Sequence, residues 1–274
     1  MSIALQVALV MVTILVVLLV IGAPIGVAIG MSSAVSMICM IPADVSFATS
    51  AQRIFAGSNS FSLIAIPFFI LAGNIMNNGG IATRLVNCAK VISGRMPGAL
   101  AQSNVVANML FGAISGSGAA AAAAMGGTIG PLEEKEGYDK NYSTAVNVAS
   151  APVGMLIPPS NTMIVYSSVA GSVSIAALFM AGYIPGLLWG GAVMILAGIM
   201  AKKRGYQAEQ RVPVKVALKT FWQAIPSLLL IVIVIGGILG GIFTATEGSA
   251  IAVVYATVLS LIYRAFKLKD IPRI

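Results

Sequence analysis

Twenty residues from Ile3 to Gly22 pass without one charged side chain, and comparable apolar runs recur almost to the end of the chain. A run of about 20 apolar residues matches the hydrocarbon thickness of a bilayer. Inside a bilayer every backbone N–H and C=O must find its partner within the protein, and a helix meets that demand segment by segment. The chain is therefore read as an all-α polytopic membrane protein. Composition agrees: hydrophobic residues make up 58% and charged residues 9%, whereas a soluble domain carries about 25% charge. Ile3–Gly22 has no basic segment before it and leads directly into another apolar stretch, so it is read as a retained helix rather than a cleaved signal.

The remaining composition excludes several function classes. Histidine is absent, and the two cysteines lie apart, Cys39 in an apolar run and Cys88 in a basic segment. Neither points to a disulfide framework or a zinc site. The net charge of +8 is read as loop charge that sets membrane topology, not as a nucleic-acid surface.

Spans are expected near Leu5–Ile21, Ile25–Ile41, Phe61–Met76, Ile175–Met200, Trp222–Ile242 and Glu247–Tyr263, with a broken span over Tyr142–Ser172. Ile81–Arg95 carries Arg84, Lys90 and Arg95 together with apolar Ile81, Leu85, Val86, Ala89 and Val91, which suits a basic amphipathic helix lying at the interface. Pro97–Phe111 and Ala119–Leu132 flank a Ser-Gly break and are read as a re-entrant hairpin of two half-helices, closed by the charged cluster Glu133–Lys140. The expected organisation is 1–96 for scaffold-type helices and the interfacial helix, 97–172 for a transport-type unit, 173–242 for connecting spans and a linker, and 243–274 for the start of an incomplete second repeat.

Basic residues orient this plan. Lys202, Lys203, Arg204, Arg211, Lys215 and Lys219 fill one linker, and Arg264, Lys267, Lys269 and Arg273 fill the tail. Both belong in the cytoplasm, because lysine and arginine concentrate there. Counting back places Gly171–Ser174 outside, Glu133–Lys140 inside and Met1 outside, which becomes the periplasm if the chain sits in a bacterial inner membrane. Arg84–Arg95 falls inside only if 97–132 is a hairpin, which is why the hairpin is preferred to a plain span. Two G-x-x-x-G ladders, Gly22/Gly26/Gly30 and Gly182/Gly186/Gly190, are read as sites of close helix packing.

Two interruptions carry the chemistry. The first reads Phe111-Gly-Ala-Ile-Ser-Gly-Ser-Gly118, followed by six alanines; the second reads Val153-Gly-Met-Leu-Ile-Pro-Pro-Ser-Asn161. Irregular backbone at membrane depth persists only where protein buries it or it lines a wet cavity, and paired breaks point to a transporter binding site. The half-helix beginning at Ala119–Ala124 offers free N–H groups suited to an anion such as a carboxylate. Carbonyls near Gly112–Ser115 suit a small hard cation, and an oxygen-only donor set favours Na⁺ over a transition metal. Pro158-Pro159 removes two donors and frees carbonyls around Gly154–Ile157, with Ser160, Asn161 and Thr162 following. The structural alternative is a Pro-kinked helix capped by Ser or Asn. Glu247 follows Phe243-Thr-Ala-Thr and reads either as the first turn of a helix capped by Thr244 or Thr246 or as an intramembrane proton carrier; capping is preferred. Asn74, Asn147 and Ser150 read as interhelical hydrogen-bonding groups.

These residues resemble a known family. Phe111-Gly-Ala-Ile-Ser-Gly-Ser-Gly, Gly137-Tyr-Asp, Ile157-Pro-Pro-Ser-Asn, Ala181-Gly-Tyr-Ile-Pro-Gly-Leu-Leu, Phe243-Thr-Ala-Thr-Glu and Ala65-Ile-Pro-Phe-Phe-Ile-Leu-Ala-Gly-Asn look like the large, DctM-like permease subunit of TRAP (tripartite ATP-independent periplasmic) transporters. The resemblance implies an elevator-type secondary transporter in the bacterial inner membrane that imports organic acids, of the sialic acid or C4-dicarboxylate class, by symport with Na⁺. It implies two partners, a periplasmic substrate-binding protein and a small membrane subunit, and no cofactor beyond the coupling ion. It makes Ser115–Gly118 the tip of the first hairpin and Pro158–Asn161 the matching unwound segment. Substrate then falls to Ser117, Gly118, Ala119 and Asn161, and Na⁺ to Ser115, Gly116, Ser117, Gly154, Pro158 and Ser160. The family pattern has two inverted repeats, each with a hairpin and a broken helix. Here the second begins at Phe243 and the chain stops at Ile274, so the resemblance implies an incomplete subunit, by truncation or a split gene, holding about half of a binding site.

Two other readings stand beside this one: an elevator-type anion/Na⁺ symporter that needs no binding protein, and a non-transporting structural fragment. An intramembrane enzyme is disfavoured, because the chain has no histidine, no G-x-S-x-G and no pair of membrane-embedded carboxylates to serve as acid and base.

Overall fold

The computed structural model describes residues 3–171, 173–206, 208 and 213–265. Met1, Ser172, Arg211 and the tail cations Lys267, Lys269 and Arg273 lie outside the described residues. The described residues are mostly helical, with five helices long and apolar enough to cross a membrane, or six if one bent pair counts as a span. Contacts divide the chain between Ser60 and Phe61.

The first unit holds α1 (Ile3–Val20), α2 (Ile25–Ile38) and α3 (Ala43–Ser58). α1 buries no residue and presents leucine, valine and isoleucine all round, as a helix solvated by lipid requires. α2 is shorter than the expected span to Ile41. Its 14 residues rise about 21 Å at 1.5 Å each, less than the ~30 Å hydrocarbon core, and Pro42 already starts the next helix. The sequence pattern assigns no element to α3, whose composition is mixed rather than continuously apolar. Its start signals are nonetheless local: Pro42 precedes it and Asp44 lies in its first turn. Ser46 is buried and its hydroxyl donates to Ala34 O at 2.8 Å, tying α3 to α2. A Cβ added at Gly22, Gly26 or Gly30 meets nothing within 4 Å, so that ladder packs against no described residue.

The second unit begins with a 3-10 turn at Phe61–Ile64 and continues through α4 (Ala65–Asn78), α5 (Ile81–Ser93), α6 (Ala99–Ser115), α7 (Gly118–Thr128), α8 (Gly130–Lys135), α9 (Lys140–Ser150), α10 (Val153–Leu156), α11 (Asn161–Ala170), α12 (Ile175–Arg204), α13 (Val214–Leu239) and α14 (Ala245–Ile262). Its core joins Phe69 and Met76 of α4, Leu85 of α5, Phe111 of α6, Met125 of α7, Ile164 of α11, Phe179 of α12 and Leu230 of α13. α14 packs along α4, and α5 packs against both α6 and α13. The apolar face of α5, expected to rest in the interface, is therefore covered by protein: Ile81, Leu85, Val86 and Ala89 are all buried. α13 starts eight residues before the expected Trp222, so Lys215 and Lys219 belong to a helix rather than a linker. Pro213 caps its start, a position where proline's missing N–H costs nothing.

The Gly182/Gly186/Gly190 ladder of α12 does pack closely. Added Cβ atoms there would lie 2.2 Å from Leu156 O, 2.6 Å from Ile157 Cγ1 and 2.7 Å from Met109 Sδ. α12 is thus held against the second interruption. At its far end Arg204 pairs with Asp139 at 3.0 Å, Tyr206 stacks on Tyr138 at 4.3 Å, and the Tyr142 hydroxyl donates to Ala197 O. The ion pair is half exposed, so solvent screens most of its attraction. Together these contacts place Tyr138–Asp139 beside the start of the basic linker.

Candidate functional site

The first interruption is narrower than the sequence suggests. α6 runs through Gly112–Ser115 and ends at Gly116, whose N–H donates to Gly112 O at 2.9 Å. Gly116 has φ +63°, the left-handed conformation that glycine adopts without steric cost. Ser117 is extended and caps α7, its hydroxyl accepting from Ala120 N at 3.3 Å. Two helix ends thus meet within two residues. The carbonyls of Ala113, Ile114 and Ser115 end the α6 ladder, and the N–H groups of Gly118 and Ala119 begin α7 without a helical acceptor. α7 and α8 then turn back beside the first half of α6, since Asn104, Gly126 and Glu133 line one cavity.

At the second interruption, residues 140–156 and 161–170 are bent 46° apart. Ile157 is extended, Pro158 and Pro159 are buried and joined by a cis peptide bond, and Ser160 caps α11. The Ser160 hydroxyl donates to Met155 O and accepts from Met163 N at 3.4 Å.

The two interruptions touch. Asn161 N donates to Gly116 O at 3.2 Å. A Cβ on Gly116 would sit 2.9 Å from Pro159 O, and one on Gly118 would sit 2.9 Å from Ala151 O. Four residues back, a Cβ on Gly112 would come within 2.2 Å of Gly154 Cα. Gly116, Gly118, Gly154 and Asn161 are thus gathered at one junction. Ser115, Ser117 and Ser160 line the same two turns, with hydroxyls engaged by nearby backbone. Ala119 is exposed, unlike Ser115, Gly116 and Gly118 around it. One acceptor at the junction is unsatisfied: Asn161 Oδ1 is buried and makes no hydrogen bond. An orphaned buried oxygen costs about 1–3 kcal/mol unless a ligand completes it. Oxygen donors beside helix-end carbonyls fit a Na⁺ ion.

Glu247 takes the capping geometry. Its carboxylate accepts from Thr244 N at 2.8 Å while Thr244 Oγ1 accepts from Glu247 N at 3.3 Å, a closed capping box. Thr244→Ala is expected to cost about 1 kcal/mol in thermal melts, and Glu247→Gln, which keeps the acceptor, less than half of that. A larger loss in the glutamine variant would assign Glu247 a role that needs its charge.

Asn147 and Ser150 act as the expected interhelical groups. Asn108 Nδ2 reaches Asn104 Oδ1, Asn147 Oδ1 and Ser150 Oγ at 2.8–3.0 Å, and Asn147 Nδ2 donates to Ala122 O. Asn74 is exposed on α4.

A family model described as the DctM component of the tripartite ATP-independent periplasmic transporter matches residues 12–274. The chain belongs to this family. It is 54% identical to the uncharacterized protein YgiK of Salmonella typhimurium, over 88% of this chain and 56% of that protein. It is 38% identical to the C4-dicarboxylate TRAP transporter large permease protein DctM of Rhodobacter capsulatus, over 82% and 54%. It is 39% identical to the sialic acid TRAP transporter large permease protein SiaM of Vibrio cholerae, over 80% and 52%. The chain spans about half the length of these curated relatives. Within this DctM-family chain, the contact that sequence reasoning missed is Gly112 against Gly154. The G-x-x-x-G spacing of Gly112 and Gly116 is the signal that marks such a close approach.

Proposed function

We propose that this chain acts within the membrane permease of a Na⁺-coupled secondary transporter, importing an organic acid of the sialic acid or C4-dicarboxylate class delivered by a periplasmic substrate-binding protein. The observation that carries this reading is the junction of the two breaks, where Gly116 and Asn161 are hydrogen bonded beside an unsatisfied Asn161 Oδ1. Ser115, Gly116, Ser117, Gly154, Pro158 and Ser160 surround the ion, which would supply positive charge to hold an anion. Ser117, Gly118, Ala119 and Asn161 meet the carboxylate, drawn by the first N–H groups of α7.

In this reading α6 and α7 enter and leave the membrane by one face as a re-entrant hairpin. The return of α7 and α8 alongside α6 supports it. The hairpin and the broken helix α9–α11 form the mobile part of an elevator in the bacterial inner membrane, with a small membrane subunit as the second partner. The N-terminus is periplasmic, and the basic linker Lys202–Lys219 is cytoplasmic along with Tyr138–Asp139, which it touches through Arg204.

The test is uptake of radiolabelled sialic acid and C4-dicarboxylates into proteoliposomes holding the chain, a full-length relative, or both, with the small subunit and binding protein. Uptake that requires a Na⁺ gradient and the binding protein is the expected result for the full-length assembly. Uptake independent of the binding protein would favour another elevator family. Uptake that survives collapse of the Na⁺ gradient would remove Na⁺ as the coupling ion.

A further inference from the structure

Away from the junction, a cavity of about 320 Å³ lies between α6, α7, α8 and α9, lined by Asn104, Gly126, Glu133, Tyr138, Ser143 and Asn147 among others. Glu133 forms part of its wall, yet the residue is only 1% exposed and neither carboxylate oxygen makes a hydrogen bond. No lysine or arginine pairs with it among the described residues. Two uncharged donors face it: the Asn104 amide nitrogen and the Ser143 hydroxyl, both buried and themselves without hydrogen-bond partners.

We propose that Glu133 is a proton-binding site, at which a proton from the cavity neutralises a buried carboxylate and so couples the packing of α8 against α6 and α9 to pH. A buried unpaired carboxylate is costly and is relieved by a counter-ion or a proton. A metal cation is disfavoured, because the carboxylate oxygens are buried and the groups aimed at them are donors. A proton needs no coordination shell.

The charged surroundings do not change this. α6 and α7 contribute no ionisable side chain. On its own element Glu133 is followed by Glu134 and Lys135, and Glu136 caps that element. From the following loop and α9 come Tyr138, Asp139, Lys140 and Tyr142. Glu134, Tyr138 and Lys140 line the cavity, Asp139 is taken by Arg204, and the Tyr142 hydroxyl is committed to Ala197 O. Burial pushes the Glu133 carboxyl up to about 7, with Ser143 and Asn104 pulling the other way. The unfolded chain titrates this group in the ordinary range near 4.5. Its contribution to stability is therefore present at low pH and is lost as pH rises towards 7.

The experiment is an infrared titration of the full chain in lipid nanodiscs. The expected result is one protonated-carboxyl band that disappears with a midpoint near pH 7 and is missing in Glu133→Gln. Loss of all carboxyl bands in the ordinary range near pH 4.5 would overturn the proposal. Should Glu133→Gln fail to fold, Ser143→Ala provides the second readout. It removes a donor to the ionised form, so the midpoint moves up. An unmoved midpoint assigns the band to another carboxyl and overturns the proposal.

Discussion

Gly112→Ala is expected to lower the stability of this chain by about 3 kcal/mol, the upper end of the range for overpacking a filled site. The added methyl group would fall 2.2 Å from Gly154 Cα and 3.1 Å from Gly154 N. Both obstacles are backbone, so no side-chain rotation relieves the clash. α10 must move away from α6, and α10 also rests on α12 through Leu156 and Ile157. Gly154→Ala meets Gly112 Cα at 2.8 Å and should cost somewhat less. The double variant should cost less than the sum, because one separation of the helices serves both methyl groups. Gly127→Ala is the control: its Cβ meets nothing within 4 Å, and replacing a helical glycine with alanine gains up to about 1 kcal/mol. Thermal denaturation of the purified variants in detergent reads all four. Equal midpoints for Gly112→Ala and Gly127→Ala would mean that α6 and α10 do not meet as described.

That contact shows where sequence reading reaches its limit. The interruptions at Gly116 and Pro158–Pro159 were legible because glycine and proline act on the local backbone wherever they stand. The cap at Thr244–Glu247 was legible for the same reason, as its partners are three residues apart. Long apolar helices such as α12 and α13 followed from composition, although α13 begins early because Lys215 and Lys219 extend it on a polar turn. What failed depends on partners distant in sequence. The moment of α5 predicts an apolar face but not whether lipid or α6 and α13 cover it. The Gly22 and Gly182 ladders share one spacing, yet among the described residues only the second meets another helix. Glu133 reads as one more loop charge until α6 and α9 close over it. α3 was not legible because its apolar and polar residues are mixed in a run too short and too polar to read as a span.

The junction yields the second large effect. Asn161→Ala is expected to weaken Na⁺ binding by at least about tenfold, equivalent to roughly 1.4 kcal/mol, while leaving the melting midpoint almost unchanged. The two halves of this expectation come from different atoms. The link between the breaks runs through Asn161 N to Gly116 O, and alanine retains that N–H. Ser160, not Asn161, caps α11, so the helix start is also retained. Asn161 Oδ1 makes no hydrogen bond, so its removal breaks none and relieves an unsatisfied acceptor. A structural asparagine would behave in the opposite way, losing stability with no effect on the ion. Asn161→Asp sharpens the comparison. It keeps an oxygen in place and adds a negative charge, so Na⁺ binding should persist or strengthen, whereas the carboxylate of an anionic substrate should be repelled. Calorimetric titration with NaCl against choline chloride measures the first effect, and uptake by the assembled transporter measures the second. If Asn161→Ala and the unaltered chain bind Na⁺ equally, the ion does not sit at the junction of the two breaks.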